Sequence, residues 1–189
     1  MNAKITGVIL AGGRGQRMGG VDKGLQGFRG QPLVQYVIER LAPQVDQLLI
    51  NANRNIARYG AFGYPVLPDE IPDFPGPLAG LHVGLTHSAT PLVATAPCDS
   101  PWLPTDLVTR LFDALSDSAA DLAVARTPGR VQPLFCLVRK SVLPHLTSYL
   151  ATGGRKVMDW QAALNVCHVN FDAAAFININ TGKELLCPS

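Results

Sequence analysis

The sequence predicts an α/β domain: a doubly wound, mainly parallel sheet with helices on both faces. Three observations carry this expectation. Segments of strand and helix character alternate along the chain. The central strand segments are continuously apolar, as strands buried on both faces must be. The 18 glycines and 15 prolines are scattered between the periodic segments, where they punctuate loops. With 189 residues, no internal repeat and no linker-like stretch, residues 1–189 are expected to form one domain.

Each element follows from local pattern. Ile5–Leu10 reads as a buried strand, short and β-branched, stopped by Gly12 and Gly13. Pro32 opens a helix with Leu33, Val34, Val37, Ile38 and Leu41 on one face. Val45–Ala52 is a second strand, followed by a short helix near 56–63 and a brief strand at 65–67. Leu78–His87 suits a helix after a turn, and 91–96 a strand that ends at Pro97. Thr105 or its neighbour caps a helix with Leu107, Val108, Leu111, Phe112 and Leu115 inward. Leu122–Arg126 and Pro133–Val138 read as strands, and 141–150 and Arg155–Leu164 as helices. Val166–Phe171 and Ala175–Asn178 are strand-like, and Thr181–Glu184 is a capping box for a terminal helix.

Composition narrows the function classes. Apolar residues make up 47% and charged residues 16%, which excludes a solvated disordered chain. The net charge of +2 argues against a general nucleic-acid binder. It is unevenly placed, with 8 Lys/Arg against 3 Asp/Glu in residues 1–60, a local +5 that points to an anion site. The cysteines at 98, 136, 167 and 187 lack metal spacing and are expected to be reduced thiols of a cytoplasmic protein. No leader and no membrane-spanning run is visible, so no membrane partner is expected. His82 and His87 are five apart, and His145 and His168 are isolated, so packing or surface roles are expected for all four.

In doubly wound folds ligands sit beyond the carboxyl ends of strands. After the first strand comes Leu10-Ala-Gly-Gly-Arg-Gly-Gln-Arg-Met-Gly-Gly-Val-Asp-Lys23. Its glycines let backbone N–H groups converge on an anion, and Arg14, Arg17 and Lys23 add charge for phosphate oxygens. A GxGxxG loop is excluded because Met18 stands at the third glycine, and a GxxxxGK[ST] loop because Asp22 precedes Lys23. Asp99 lies between prolines in Pro97-Cys-Asp-Ser-Pro101 and either holds Mg²⁺ or shapes a turn. Asn51, at the end of the second strand, and Asp69, after the third, either meet a base or ribose or make loop contacts. Gly76 and Gly80 either admit a flat base near the backbone or form an ordinary turn. Arg155 and Lys156 open a predicted helix, where the dipole disfavours cations, so they either meet an anion or are solvated. Asn178 and Asn180, at period two, either bind phosphate or metal, or cap the last helix.

The order L-A-G-G-x-G-x-R-M-G-G-x-D-K resembles the signature of nucleotidyltransferases, and closely resembles that of molybdenum cofactor guanylyltransferases. The supporting segments at Asn51–Arg54, Asp69, Gly76–Gly80, Pro97–Pro101 and Phe176–Leu185 occur in matching order. The resemblance implies a Rossmann-like nucleotidyltransferase domain that transfers GMP from GTP to molybdenum-bound molybdopterin, releasing pyrophosphate. It implies that Leu10, Ala11, Gly12, Gly13, Gly20, Lys23, Asn51, Asp69, Gly76, Gly80 and Asp99 contact the nucleotide. It further implies catalytic roles for Arg17, Lys23 and Asp99, with Mg²⁺ on Asp99, and an acceptor site at Arg155, Lys156, Asn178 and Asn180. Transient contacts with proteins that deliver and receive the cofactor are also implied. Gly182-Lys183 departs from the family pattern, where a proline and an acid are expected. A sister enzyme using CTP is the nearest alternative. A non-catalytic GTP-binding protein is farther, since GxxxxGK[ST] and N-K-x-D are both missing.

Overall fold

The computed structural model describes residues 3–13, 22–71 and 76–177. Among them the chain runs through β1 (Ile5–Leu10), β2 (Gly27–Phe28), β3 (Gln31–Pro32), α1 (Leu33–Leu41), β4 (Gln47–Asn51), α2 (Ile56–Gly60), β5 (Val66–Leu67), α3 (Pro77–His87) and β6 (Leu92–Pro97). It continues through α4 (Leu107–Ser116), β7 (Leu122–Thr127), β8 (Arg130–Arg139), α5 (Leu143–Ala151), α6 (Val157–Gln161) and β9 (Val166–Asn170). Seven strands form one sheet in the order β5-β4-β1-β6-β8-β7-β9, and β8 alone among them runs against its neighbours. The mainly parallel α/β architecture expected from the sequence is the one observed.

Helices cover both faces because successive strand residues point to opposite sides. Ile5, Ile9, Leu92, Ala94, Ala96, Ala123 and Ala125 pack with α1, α4 and Tyr59 of α2 on one face. Val8, Val93, Leu122 and Val124 pack with α3, α5 and Trp160 of α6 on the other. The hydroxyls of Thr6, Ser88 and Thr90 are buried near the amino end of β1, and each bonds to the others at 2.8–2.9 Å. That satisfies polar groups that would otherwise be costly inside the fold.

Several boundaries differ from expectation for identifiable reasons. The helix expected over 155–164 is only Val157–Gln161, and Lys156 stands at its N-cap. The preceding turn is held from outside: the Tyr149 hydroxyl donates to the Lys156 carbonyl at 3.1 Å. Ala175 and Phe176, which begin the last strand-like segment, belong instead to a 3₁₀ turn over Ala173–Phe176, because the Asp172 side chain accepts from the Ala174 N–H at 3.0 Å. Of Thr105 and its neighbour, Asp106 takes the N-cap of α4, but without a side-chain bond, and Gln44 Oε1 accepts from the Val108 N–H at 2.9 Å instead. β7 and β8 are joined by two residues, Pro128 and Gly129, and so short a link forces them antiparallel. The β2–β3 hairpin turns on Arg29 and Gly30, both at positive φ, and has no counterpart in the expected elements. The capping box at 181–184 lies outside the described residues.

Candidate functional site

β1 lies where the strand order reverses. The chain leaves it for β4 and β5 on one side and returns to β6 on the other. A crevice at the carboxyl ends of such strands is where ligands bind in open α/β sheets. Parallel register brings Leu10 level with Asn51 of β4 and Pro97 of β6, and Asn51 level with Leu67 of β5. Four chain-distant segments are thereby delivered to one edge.

On one side of this edge a side-chain network joins three loops. Asp69 accepts from the side-chain amides of Asn51 at 2.8 Å and Asn53 at 2.7 Å. Its own N–H donates to Asn53 Oδ1 at 2.7 Å. Asn53 also donates to the Gly12 carbonyl at 3.1 Å, and Arg54 to the Gly13 carbonyl at 3.3 Å. Asn51 is only 3% exposed, and its amide donates in addition to the Leu67 carbonyl at 3.2 Å. A Cβ on Gly80 would lie 2.4 Å from Asn51 Oδ1, and one on Gly12 2.8 Å from it. Those two glycines are therefore required by the Asn51 side chain. Cβ atoms added at Gly13 and Gly76 would meet no described atom within 4 Å, so there the backbone is open to a ligand.

On the other side stand Lys23 and Asp99. Lys23 opens a 3₁₀ turn over Lys23–Leu25, and Asp99 follows β6 by two residues. Lys23 Nζ lies 3.4 Å from Asp99 Oδ2, and the Asp99 side chain is 11% exposed. Burial pushes the Asp99 carboxyl above its usual range, against the pull of Lys23. Cys98 beside it is buried, and burial pushes its thiol well up, so it is packing rather than a nucleophile.

A divalent cation at Asp99 is chemically reasonable. No group of three or more His, Cys, Asp or Glu able to hold a metal exists among the described residues. Mg²⁺ is commonly held by one or two carboxylates together with substrate phosphates and water, so a single aspartate suffices.

Arg155 and Lys156 are exposed, and Lys156 lies 3.8 Å from Asp159 of α6. Gln161 ties α6 to β8 through the Pro133 carbonyl at 2.9 Å. Since β8 flanks β6 opposite to β1, helix α6, which follows this basic pair, is tied to the sheet across β6 from the Asn51–Asp69 network. Arg17, Gly20, Asn178 and Asn180 lie outside the described residues. Three described histidines make packing or surface contacts: His82 Nε2 meets Thr147 Oγ1 at 3.1 Å, His87 Nε2 meets Glu70 Oε1 at 2.5 Å, and His145 Nδ1 accepts from Trp160 Nε1 at 3.1 Å.

Sequence reasoning read Asn53 only within the Asn51–Arg54 segment and assigned no role to Asp22 or Tyr59. Asn53 stands two residues beyond Asn51, a spacing that could have flagged it. Asp22 sits inside the quoted D-K pair. Tyr59 carried no signal, because its partner Asp22 is 37 residues away in the chain.

Comparison with known proteins identifies the family and the fold. The family model described as a MobA-like NTP transferase domain matches residues 7–166. A molybdenum cofactor guanylyltransferase from Cupriavidus necator is 56% identical over 187 residues, covering 96% of this chain and 94% of the relative. One from Cupriavidus taiwanensis is 55% identical with the same coverage of both chains. Among solved structures, molybdopterin-guanine dinucleotide biosynthesis protein A from Archaeoglobus fulgidus superposes with a TM-score of 0.77 at 22% identity, covering 95% of this chain and 94% of that one. At that identity the superposition supports the fold alone.

Proposed function

The chain belongs to the MobA-like NTP transferase family, and from that premise we propose that it transfers GMP from GTP to the phosphate of molybdenum-bound molybdopterin. The products are the molybdopterin guanine dinucleotide and pyrophosphate. The observation that carries the reading is the Lys23–Asp99 pair at the carboxyl edge of a sheet whose relatives at 55–56% identity are named guanylyltransferases.

The reaction forms one P–O bond and breaks another. An acceptor phosphate oxygen attacks the α-phosphorus in line, and the bond from that phosphorus to the pyrophosphate oxygen breaks. The acceptor is already anionic, so no side chain need remove a proton. Catalysis then rests on orientation and on charge stabilisation. Leu10, Ala11, Gly12, Gly13, Gly20 and Gly76 form the nucleotide cradle, with Asn51, Asp69 and Gly80 fixing its wall. Lys23 and Arg17 neutralise charge developing on the leaving pyrophosphate. A divalent cation, proposed as Mg²⁺ and held by Asp99 with the substrate phosphates, supplies further neutralisation when bound. Arg155, Lys156, Asn178 and Asn180 form the acceptor side, in one domain with the donor side.

The reading includes hand-over contacts with cofactor-delivering and cofactor-receiving proteins, and no nucleic-acid or membrane partner. Among the described residues no helix is long and apolar enough to cross a membrane. Pyrophosphate release with GTP and CTP in competition tests the donor. Preference for GTP is expected, and preference for CTP would assign the chain to the cytidylyl branch of the chemistry.

A further inference from the structure

The turn that carries Lys23 is fastened by a residue to which the chemistry above gives no role. Tyr59 of α2 is fully buried, at 0% exposure, and its hydroxyl donates to Asp22 Oδ1 at 2.5 Å. Asn55, immediately before α2, donates to Asp22 Oδ2 at 3.0 Å. Both carboxylate oxygens of Asp22 are thus engaged by one short segment. The Asp22 carbonyl also accepts from the Leu25 N–H at 3.2 Å, closing the turn over Lys23.

The next residue but one docks on the same group. A Cβ on Gly24 would lie 2.5 Å from the Tyr59 hydroxyl and 3.1 Å from Cys98 Sγ. Glycine lets the turn lie flat against both. Three consecutive residues therefore have distinct contacts: Asp22 on Tyr59, Lys23 on Asp99, and Gly24 between Tyr59 and Cys98. Because a lysine stem has four rotatable carbons, the position of its ammonium depends on how firmly its backbone is held.

We propose that Tyr59 is a positioning residue for Lys23, holding the turn so that the ammonium stays beside Asp99. The inference rests on the guanylyltransferase reading, in which Lys23 acts on the leaving pyrophosphate. Burial keeps the Tyr59 phenol protonated, so it stays a donor to Asp22. A residue that only fills the core would tolerate loss of its hydroxyl without a specific kinetic effect.

The test is Tyr59→Phe, made alone and in a Lys23→Met background. GTP turnover with molybdopterin is measured alongside thermal melting. Tyr59→Phe is expected to lower kcat by roughly tenfold to a hundredfold, equivalent to losing a hydrogen bond to a charged group. KM for GTP should stay unchanged, because the interaction acts mainly in the transition state. In the Lys23→Met background the same change should cost nothing further. Asn55→Gly, which keeps the left-handed φ of +52°, should give a smaller loss in the same direction. The inference is overturned if Tyr59→Phe is neutral in kcat. It is also overturned if the loss recurs undiminished in the Lys23→Met background, or merely tracks a loss of folded protein. Wild-type protein that releases no pyrophosphate would overturn the guanylyltransferase reading, and this inference with it.

Discussion

Asp99 is the residue where function and stability oppose each other. Its carboxylate is buried beside the Lys23 ammonium, and burial raises its pKa in the folded state. For an acid whose folded pKa exceeds its unfolded value, the favourable contribution to folding is present below the unfolded pKa. That contribution is lost as pH rises through the folded one. At neutral pH the ionised group therefore burdens the fold. Asp99→Asn is expected to melt no lower than wild type at pH 7 while losing roughly a hundred- to a thousandfold in turnover. A lower melting temperature would contradict the burial argument, and retained turnover would contradict the catalytic one. Activity should also begin to fall on acidification above the usual carboxylate range, which a pH–rate profile of the wild type checks. Lys23 and Asp99 were legible in the sequence because each sits in a motif just past a strand. Tyr59 was not, because a buried hydroxyl that fastens a distant turn has no local pattern.

At the scale of elements, helix α3 shows how the site is built from packing. Leu78, Ala79, Gly80, Leu81, Val83, Gly84 and Leu85 are all buried along it, so it has no solvent-facing stripe over most of its length. Two glycines let it press on its neighbours. Gly80 meets Asn51 and Leu10, and a Cβ on Gly84 would lie 2.6 Å from Val8 Cγ2. Gly84→Ala is expected to destabilise by about 1–3 kcal/mol, the usual effect of overpacking, with KM for GTP unchanged. Denaturant unfolding and steady-state kinetics separate the two. Asp69→Ala should act oppositely. It removes the carboxylate that holds the Asn51 and Asn53 amides and loosens the loop after β4 from the one after β5, raising KM for GTP more than it lowers kcat. An unchanged KM would remove the network from the nucleotide site. The existence of most elements was legible, since periodicity and β-branching are local properties. Their ends were not. The start of α4 is capped by Gln44 from another segment, and the turn before α6 is held by Tyr149.

At the scale of the molecule, the order of strands explains why so few residues can carry a two-substrate reaction. β1 stands between the strand ending in Asn51 and the strand leading to Asp99, so both ends open onto one edge. The continuation to β8 carries α6, which follows Arg155 and Lys156 in the chain, on the far side of β6 from β1. The donor and acceptor sides proposed here thus flank the strand that leads to the proposed catalytic carboxylate. Alternation of apolar strands and helices made the class of fold legible. The single reversed strand β8 depended on the short Pro128–Gly129 link, which the expected strand limits at 126 and 133 left unread. The basic surplus of residues 1–60 is also a whole-chain feature, and Lys23 and Arg54 at the edge account for part of it. The most direct test supplies the protein with molybdenum-bound molybdopterin, a divalent cation, and GTP and CTP together, and weighs the pterin product. The account predicts a pterin enlarged by GMP, with one pyrophosphate released per molecule formed. An unaltered pterin, or one enlarged by CMP in preference, would contradict it.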